Sequence, residues 1–291
     1  MPLKTNIFAF SKILSMIHEI YPHRFNNQYL AGKNMDENDF VFHFKDNKLL
    51  LKTNGLEPEI PRKRDFSEIK ADSIYLFSLD EVSCFLLWDD LNTYSECLVY
   101  SEISFFRTVQ PKETGWIALV AYHLWKWYSD HKFCGKCGAQ TKHKTDERAL
   151  VCTQCDNLIF PKISPAVIVA ITCKDKLLLA GNAGFTGGWY SLIAGYVDIG
   201  ETLEETVIRE VKEEVGLNVH NIRYYKSQPW ALSGTLMVGF IAEADENQSI
   251  VVDGLEITKA NWFRKDELPP YPSNASISGE IIEKFKNGIP F

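Results

Sequence analysis

The sequence predicts an α+β protein whose C-terminal part forms an α/β/α sandwich around a mixed sheet. Two features predict the sandwich. A β-branched run at residues 165–172 is typical of a buried strand, and a glycine-flanked amphipathic helix begins near residue 203. Before them, two closely spaced cysteine pairs and a series of short apolar runs predict a small metal-binding segment and a β-rich N-terminal domain.

Length and composition bound the organisation of the chain. At 291 residues it exceeds the size at which one hydrophobic core usually keeps growing, so we expect more than one domain. We predict a β-rich domain over residues 1–128 that ends in a helix, a cysteine-rich ribbon over 129–160 and the sandwich over 161–291. The net charge of −7 argues against a large non-specific attraction to nucleic acid. No apolar run reaches the roughly 20 residues of a membrane span, so we expect a cytoplasmic protein with no membrane partner.

Short apolar runs separated by Asn, Asp, Gly and Pro predict an antiparallel sheet of modest strands in the N-terminal domain. These runs occupy residues 40–44, 49–51, 74–79, 84–88 and 97–100. The polar residues 52–71 are predicted to form a loop. Residues 116–128 repeat apolar side chains at helical spacing, which predicts a helix whose tryptophans face a core.

Four of the seven cysteines form two C-x2-C pairs with fourteen residues between them: Cys134 with Cys137, and Cys152 with Cys155. This spacing predicts a tetrahedral site that binds Zn²⁺ through four thiolates. Because four protein ligands leave no position for water, we expect the zinc to be structural. The alternative of a nucleic-acid-binding ribbon stays open because basic residues lie nearby, namely Lys132, Lys136, Lys142, His143 and Lys144. The three remaining cysteines, Cys84, Cys97 and Cys173, are predicted to be small buried side chains.

The C-terminal elements follow from the same patterns. Residues 176–180 should pair with the buried strand across a short turn, and residues 189–194 lead to the helix. Further strands are predicted at residues 219–226, 236–242 and 260–263, and an amphipathic helix at 277–286. A helix on either side of these strands is what predicts the sandwich.

The helix after residue 203 carries an apolar stripe and a cluster of carboxylates. The stripe recurs every fourth residue, at Leu203, Val207, Val211 and Val215, and should face a core. The carboxylates of Glu210, Glu213 and Glu214 lie at i, i+3 and i+4, within about one turn. A solvated acidic face is the simple alternative. Such like charges become favourable when they share a hard divalent cation, and Mg²⁺ usually takes one or two carboxylates together with substrate phosphates.

Three glycines mark the ends of this helix. We expect Gly195 and Gly200 to bracket its entrance at positions that need positive φ, and Gly216 to end it. With these positions, the stretch resembles the Nudix box, whose pattern is G-x5-E-x7-R-E-U-x-E-E-x-G-U with U aliphatic. All nine fixed positions match: Gly195, Glu201, Arg209, Glu210, Val211, Glu213, Glu214, Gly216 and Leu217. The resemblance implies hydrolysis of a nucleoside diphosphate linked to a further group, with Mg²⁺ or Mn²⁺ as cofactor.

The cysteine pairs before the box, and Ser227-Gln-Pro-Trp230 behind it, make residues 120–288 similar to the NADH pyrophosphatase family. This resemblance implies cleavage of NAD(H) to NMN(H) and AMP, and removal of NAD caps from RNA. The family signature SQPWPFPxS is interrupted after Trp230, where Ala231-Leu-Ser233 replaces Pro-Phe-Pro and Thr235 replaces the last Ser. Nicotinamide preference is therefore open, and hydrolysis of ADP-ribose or another dinucleotide is an alternative. A zinc-ribbon module that binds nucleotides without cleaving them is an alternative of another class.

The resemblance also implies roles for single residues. The family's Mg²⁺ or Mn²⁺ ligands correspond to Glu210, Glu213, Glu214 and Glu256, and the general base stays open between Glu213 and Glu256. Arg209 belongs to the same catalytic group and is expected to pair with Glu201. Substrate-binding positions correspond to Phe160, Tyr196, Gln228, Trp230 and Ser278. The first of these aromatic residues reaches across a homodimer in the family, so a homodimer is implied.

Overall fold

The computed structural model describes residues 16–53, 58–66, 72–88, 91, 97–182, 188–271 and 275–291. The chain divides into two compact units. The N-terminal unit contains residues 20–162 and 231–233, and the C-terminal unit contains residues 16–19, 163–230 and 234–291. Within the described ranges, no helix has the length and apolar character to cross a membrane.

The N-terminal unit begins with two small sheets rather than one. The strands are β1 (Phe25–Asn26), β2 (Phe40–Phe42), β3 (Phe44–Lys45), β4 (Lys48–Thr53), β5 (Pro58–Glu59), β6 (Ser73–Leu79), β7 (Val82–Leu87) and β8 (Leu98–Glu102). One sheet has the order β1-β6-β7-β2, and the other has the order β3-β4-β5 with β8 paired to β4. Strand β2 runs parallel to β7, so the prediction of one antiparallel sheet is wrong. Strands β3 to β5 of the second sheet lie between β2 and β7 in the chain. Strand β7 therefore pairs with β2 after a crossover connection and not after a hairpin.

Residues 52–71 are not all loop. Strand β5 and a short 3₁₀ turn at Lys63–Asp65 lie within this stretch, while residues 54–57 and 67–71 fall outside the described residues. Of the three cysteines predicted to be buried, Cys84 and Cys173 are buried, but Cys97 is exposed and lies directly before β8. The buried apolar residue of this stretch is Leu98, so the apolar run did not predict the exposure of Cys97 itself.

Helix α1 spans Lys112–Asp130 and confirms the predicted helix at residues 116–128. It starts four residues earlier than its apolar pattern because the first turn is polar. Trp116 and Trp127 are buried, as the stripe predicts. Trp125 stacks on Phe44 with ring centroids 5.2 Å apart. The ribbon follows as a three-stranded antiparallel sheet of β9 (Thr141–His143), β10 (Leu150–Cys152) and β11 (Leu158–Ile159).

The C-terminal unit is built on a six-stranded mixed sheet. Its strands are β12 (Ser164–Cys173), β13 (Lys176–Asn182), β14 (Ile193–Tyr196), β15 (Val219–Trp230), β16 (Thr235–Ala244) and β17 (Ile257–Arg264). The order is β15-β16-β12-β13-β17, with β14 also paired to β12. Strands β12 and β16 run parallel and the other pairs are antiparallel, which confirms the mixed sheet.

Two helices cover opposite faces of this sheet. Helix α2 spans Leu203–Val215 and helix α3 spans Ile277–Lys286, as predicted. Alternate residues of β12 point to opposite faces. Val167, Val169 and Ile171 pack in one core with the α2 stripe, whereas Ile168 and Ala170 pack in the other core with α3. The two cores confirm the α/β/α sandwich.

Candidate active site

Helix α2 is fixed at both ends by local hydrogen bonds. Glu205 N donates to Thr202 Oγ1 at 3.2 Å, and Thr202 N donates to Glu205 Oε2 at 2.8 Å, which is a capping box. The sequence analysis missed it, although Thr-x-x-Glu before an apolar stripe is its usual signal. At the other end, Gly216 has a φ of 72°, as expected for a helix-ending glycine. The carboxylates on this helix are therefore held on a well-defined frame.

The two glycines at the helix entrance have different functions. Gly200 has a φ of 95°, as predicted. The prediction for Gly195 is wrong: it lies in strand β14 and is not among the glycines with positive φ. A Cβ atom at Gly195 would lie 2.0 Å from the carboxyl carbon of Glu210. The Glu210 carboxylate therefore lies directly against the strand backbone, and a side chain at residue 195 would displace it.

Arg209 connects the helix, the preceding loop and β14. Its Nε and Nη2 donate to the two carboxylate oxygens of Glu201 at 2.6 and 2.9 Å, so the predicted pair is present and is bidentate. This pairing with Arg209 lowers the pKa of Glu201 to about 2. Arg209 Nη1 also donates to Glu210 at 2.8 Å and to Glu213 at 3.0 Å, and Nη2 donates to the Tyr196 carbonyl at 2.9 Å.

Glu214 is the buried member of the carboxylate cluster. Glu214 is only 6% exposed, and its Oε2 has no hydrogen-bond partner in the part of the chain that the structure describes. Burial, together with the negative charges of Glu210, Glu256, Asp253 and Glu213, raises the pKa of Glu214 to about 8. A buried carboxylate oxygen without a partner is costly. A hard divalent cation would supply the missing partner, so the residues present fit such an ion.

The four predicted ligands are near one another but are not drawn together. Among the described residues, the cysteines are the one set of three or more candidate ligands whose atoms all lie within 4.8 Å of one another. The glutamates repel each other, and Arg209 holds two of them, Glu210 and Glu213. The arrangement is that of an acidic cluster kept apart by its own charge.

The loop that carries Glu256 is tied to the end of helix α2. Asp253 N donates to the Glu214 carbonyl at 3.2 Å. The Asp253 carboxylate in turn accepts from Glu256 N at 3.0 Å and from Ile257 N at 2.9 Å. Asp253 therefore positions Glu256 with respect to the helix. The sequence analysis assigned no role to Asp253, although an Asp-Gly pair is a common turn signal.

Three predicted substrate-binding residues present aromatic surface. Tyr196 ends strand β14, is 54% exposed, and has its hydroxyl 3.2 Å from Thr235 Oγ1. Trp230 is half-buried at the end of β15. Phe160 follows β11 in the N-terminal unit and is 51% exposed. Each ring has a face that can contact another molecule, and their substrate contacts stay predictions.

The other two predicted substrate-binding residues are buried and already bonded. Gln228 is 1% exposed; its Nε2 donates to the Ala275 carbonyl at 3.0 Å and its Oε1 accepts from Ile277 N at 2.8 Å. Ser278 Oγ lies 3.0 Å from Ser191 Oγ. These hydrogen bonds anchor the start of helix α3. Their contact with substrate stays a prediction without support from this geometry.

The four cysteines converge on one point. Their Sγ atoms all lie within 4.8 Å of one another, with Cys134 and Cys155 3.7 Å apart and Cys137 and Cys152 3.4 Å apart. Backbone N–H groups of Gln154 and Cys155 donate to Cys152 Sγ and lower the pKa of that thiol to about 6. Four convergent sulfurs fit Zn²⁺ with no open position, as predicted.

Comparison with known proteins gives two family matches. Residues 162–285 match the NUDIX domain, and residues 129–160 match the NADH pyrophosphatase zinc ribbon domain. The chain is 41% identical over 179 residues to the NAD-capped RNA hydrolase NudC of Salmonella typhimurium, which covers 61% of this chain and 69% of that protein. It is 42% identical, with the same coverage, to the protein of that name from Salmonella typhi. A solved NUDIX hydrolase from Nitrosomonas europaea shares 22% identity and a TM-score of 0.47, over 55% of this chain and 94% of that one.

Proposed function

Because this chain belongs to the Nudix hydrolases that carry an NADH pyrophosphatase zinc ribbon, we propose that it hydrolyses the pyrophosphate bond of NAD(H). The products are NMN(H) and AMP. The same bond is present when an RNA chain continues from the adenosine, so the proposed activity includes removal of NAD caps from RNA. The observation that carries the proposal is Glu214, whose buried Oε2 has no hydrogen-bond partner among the described residues and lies near four other carboxylates.

The proposed cation ligands are Glu210, Glu213, Glu214 and Glu256. Bound Mg²⁺ or Mn²⁺ would neutralise the pyrophosphate and lower the pKa of the attacking water. The chain itself supplies the framework: Arg209 restrains Glu210 and Glu213, and its pair with Glu201 keeps the guanidinium in place. Glu213 and Glu256, both exposed, are the candidates for the base that accepts the proton of that water.

The proposed substrate contacts are the exposed rings of Phe160 and Tyr196 and the half-buried ring of Trp230, on which a nicotinamide or an adenine would stack. Cleavage of ADP-ribose is a second candidate activity, favoured by the turn after Trp230. Residues 231–234 form that turn and carry no aromatic ring, so one source of discrimination for nicotinamide is missing.

Product analysis tests the proposal. Purified protein with Mg²⁺ or Mn²⁺ would be incubated with NADH, NAD⁺, ADP-ribose and an NAD-capped RNA, and the products separated by chromatography. We expect NMNH and AMP from NADH, and an RNA with a 5′ monophosphate from the capped RNA. If zinc-loaded protein cleaves none of the four but binds them, the nucleotide-binding module replaces the enzyme as the function.

We also propose that the chain forms a homodimer in the cytoplasm. The family resemblance implies the dimer through Phe160, whose exposed ring is available to a second copy of the chain. Light scattering after size-exclusion chromatography tests the oligomeric state, with Phe160→Ala as the variant expected to weaken activity. A monomer that is fully active at nanomolar concentration would contradict the proposed dimer.

A further inference from the structure

A second cleft lies wholly within the N-terminal unit, apart from the residues proposed for hydrolysis. Its volume is about 650 Å³, within the range of small-molecule binding sites. The end of helix α1, strand β6 and ribbon strand β9 contribute to its wall. Five of its lining residues are aromatic: Tyr29, Tyr75, Trp88, Tyr128 and Phe133. We call this space the ribbon cleft.

The aromatic wall of the ribbon cleft is internally braced. The ring of Trp88 meets that of the buried Tyr128 edge-on, at a centroid distance of 6.1 Å and an interplanar angle of 80°. Tyr128 in turn packs against His143 at 4.9 Å. Trp88 is half-buried and Phe133 is 59% exposed. Rings fixed in this way offer stacking surface at little cost in side-chain entropy.

The ribbon cleft is positively charged in a chain whose net charge is −7. Among the described residues, three lysines line it, Lys33, Lys132 and Lys142, and one acidic residue, Asp72. None of the three lysines forms a salt bridge with the described residues, and Lys132 Nζ instead lies 4.9 Å from the ring centroid of Trp88. This charge pattern favours an anionic ligand.

A fourth cation lies behind the aromatic wall. The Arg148 guanidinium is beside Tyr128, Tyr75 and Tyr29, and donates to Asn27 Oδ1 at 2.5 Å and to the Leu76 carbonyl. Its partners are neutral oxygens, no carboxylate of the described chain pairs with it, and its Nε is buried without a partner. This half-buried positive charge, which no carboxylate of the described residues neutralises, adds to the attraction of the cleft for anions.

The combination of rings and cations decides the class of ligand. An aromatic cage for a quaternary ammonium group would be opposed by three lysines and an arginine. A purely apolar ligand would leave those cations without a role. A nucleotide unit satisfies both features, because its base stacks on aromatic rings and its phosphate pairs with lysines.

We propose that the ribbon cleft binds a nucleotide unit, with the base stacked on Trp88 and the phosphate paired with Lys132 and Lys142. The unit is either a free mononucleotide or one residue of a single-stranded RNA. The basic residues that the sequence analysis left open as a nucleic-acid-binding ribbon are divided by the structure. Lys132, Lys142 and His143 line the cleft, whereas Lys144 is paired with Asp146 and Glu147.

The zinc site holds the cationic rim in place. Thr141 N donates to the Lys132 carbonyl at 3.0 Å, and Thr141 Oγ1 donates to the His131 carbonyl at 2.7 Å. Cys134 N donates to the Ala139 carbonyl at 2.8 Å, so the turn that carries Cys134 and Cys137 closes directly after Lys132 and Phe133 in the chain. Loss of zinc would therefore disorder the rim and weaken binding in the cleft.

Binding measurements on the full zinc-loaded protein test the proposal. The probes are AMP and a fluorescent 5′-hydroxyl oligoadenylate, neither of which contains a pyrophosphate bond. We expect Trp88→Ala and Lys132→Ala each to weaken binding of at least one probe by about tenfold. The matched control, Lys136→Ala, removes an exposed lysine of the same ribbon outside the cleft and should bind like the wild type. Lys132 is exposed, so its variant stays informative if Trp88→Ala does not fold.

The two probes distinguish a free nucleotide from RNA as the ligand, and the variants distinguish the ribbon cleft from the proposed active site. Tighter binding of AMP supports a free nucleotide, and tighter binding of the oligonucleotide, with a salt dependence reduced in Lys132→Ala, supports RNA. AMP is also a product of the proposed hydrolysis, so Tyr196→Ala is measured in parallel. Wild-type affinity for both probes in Trp88→Ala and Lys132→Ala would overturn the proposal, as would an equal loss in Lys136→Ala. The result does not depend on whether the protein hydrolyses NAD(H).

Discussion

Single residues of the carboxylate cluster favour ion binding at the expense of the fold. Glu214 is buried with no hydrogen-bond partner for Oε2 among the described residues, and Glu210 lies so close to β14 that a side chain at residue 195 would displace its carboxylate. Arg209 offsets part of the repulsion through its bonds to Glu201, Glu210 and Glu213. Removal of a single carboxylate should thus affect activity and stability in opposite directions.

Glu214→Gln tests this opposition. We expect kcat to fall by about a hundredfold or more, because an ion ligand is lost. Thermal stability in metal-free buffer at neutral pH should be unchanged or higher, because a carboxyl group whose pKa is raised by folding lowers the stability at this pH and the amide does not titrate. Glu213→Gln should also lower kcat by orders of magnitude, and Glu204→Gln, exposed in the first turn of α2, is the control that should leave kcat unchanged. If either cluster variant keeps the wild-type kcat with added Mg²⁺, the cluster is not part of the active site.

Gly195→Ala tests the close approach of Glu210. The new methyl group would overlap the end of a flexible side chain, so Glu210 should move while the strand remains folded. We expect about a tenfold to hundredfold loss of kcat with a melting temperature near that of the wild type. Gly135→Ala is the matched control, because its Cβ would meet no atom within 4 Å. Calorimetry and steady-state kinetics measure both quantities, and an active Gly195→Ala would show that the position of Glu210 is not critical.

At the scale of elements, two short segments depend on a few specific contacts. The ribbon strands β9, β10 and β11 contain three, three and two residues, which is too little sheet to be stable alone. Helix α3 begins with Ser276 as its N-cap and with Ile277 N bonded to Gln228. In each case the loss of one side chain should destabilise the packing of the segment.

Cys134→Ser should release the ribbon. Structural zinc contributes on the order of 10 kcal/mol to the folding of small zinc domains, so loss of a thiolate should lower bound zinc and reduce the melting temperature by several degrees. Metal analysis by mass spectrometry and calorimetry measure the two effects. Cys173→Ser, at a buried cysteine outside the ribbon, is the control for loss of a thiol. A Cys134→Ser protein that keeps its melting temperature and loses only activity would show that the zinc is not structural.

Gln228→Ala separates a structural role from a substrate contact. The change leaves the Ile277 N–H buried without its partner and removes one of the two hydrogen bonds to the Ala275 carbonyl, which should cost about 1–3 kcal/mol of unfolding free energy. We expect KM for NADH to remain within about twofold of the wild type. His220→Ala, exposed on the same strand, is the control. A raised KM with unchanged stability would instead support the predicted substrate contact.

At the scale of the whole molecule, local patterns predicted the sandwich and long-range contacts escaped them. The stripe from Leu203 to Val215 and the run at 165–172 each define an element and its buried face, so the sandwich follows from sequence. The parallel pairing of β2 with β7 joins strands about forty residues apart, and no local signal reports it. The close approach of Glu210 to Gly195 and the ribbon cleft could not be predicted for the same reason. Both depend on residues that only the fold brings together, such as Trp88 and Lys142 in the cleft.

Substrate choice also depends on residues far apart in the sequence, because the predicted aromatic contacts are Phe160, Tyr196 and Trp230 and the altered turn follows Trp230. If Pro-Phe-Pro rigidifies this turn and supplies a ring in the family, Ala231-Leu-Ser233 should lose ordering and stacking, on the order of 1 kcal/mol each. We expect kcat/KM for NADH and ADP-ribose to differ by no more than about tenfold, since each ~1.4 kcal/mol of differential transition-state binding is one decade.

Restoring the family residues by Ala231→Pro, Leu232→Phe and Ser233→Pro should shift the ratio of kcat/KM toward NADH. Leu232→Ala is the matched control, because it changes the turn without adding a ring and should leave the ratio where it was. Both substrates are measured with the same metal and enzyme preparation, so a general loss of activity cancels in the ratio. A wild type that already prefers NADH by about a thousandfold would show that Trp230, Phe160 and Tyr196 suffice for recognition. The altered turn would then have no part in substrate choice.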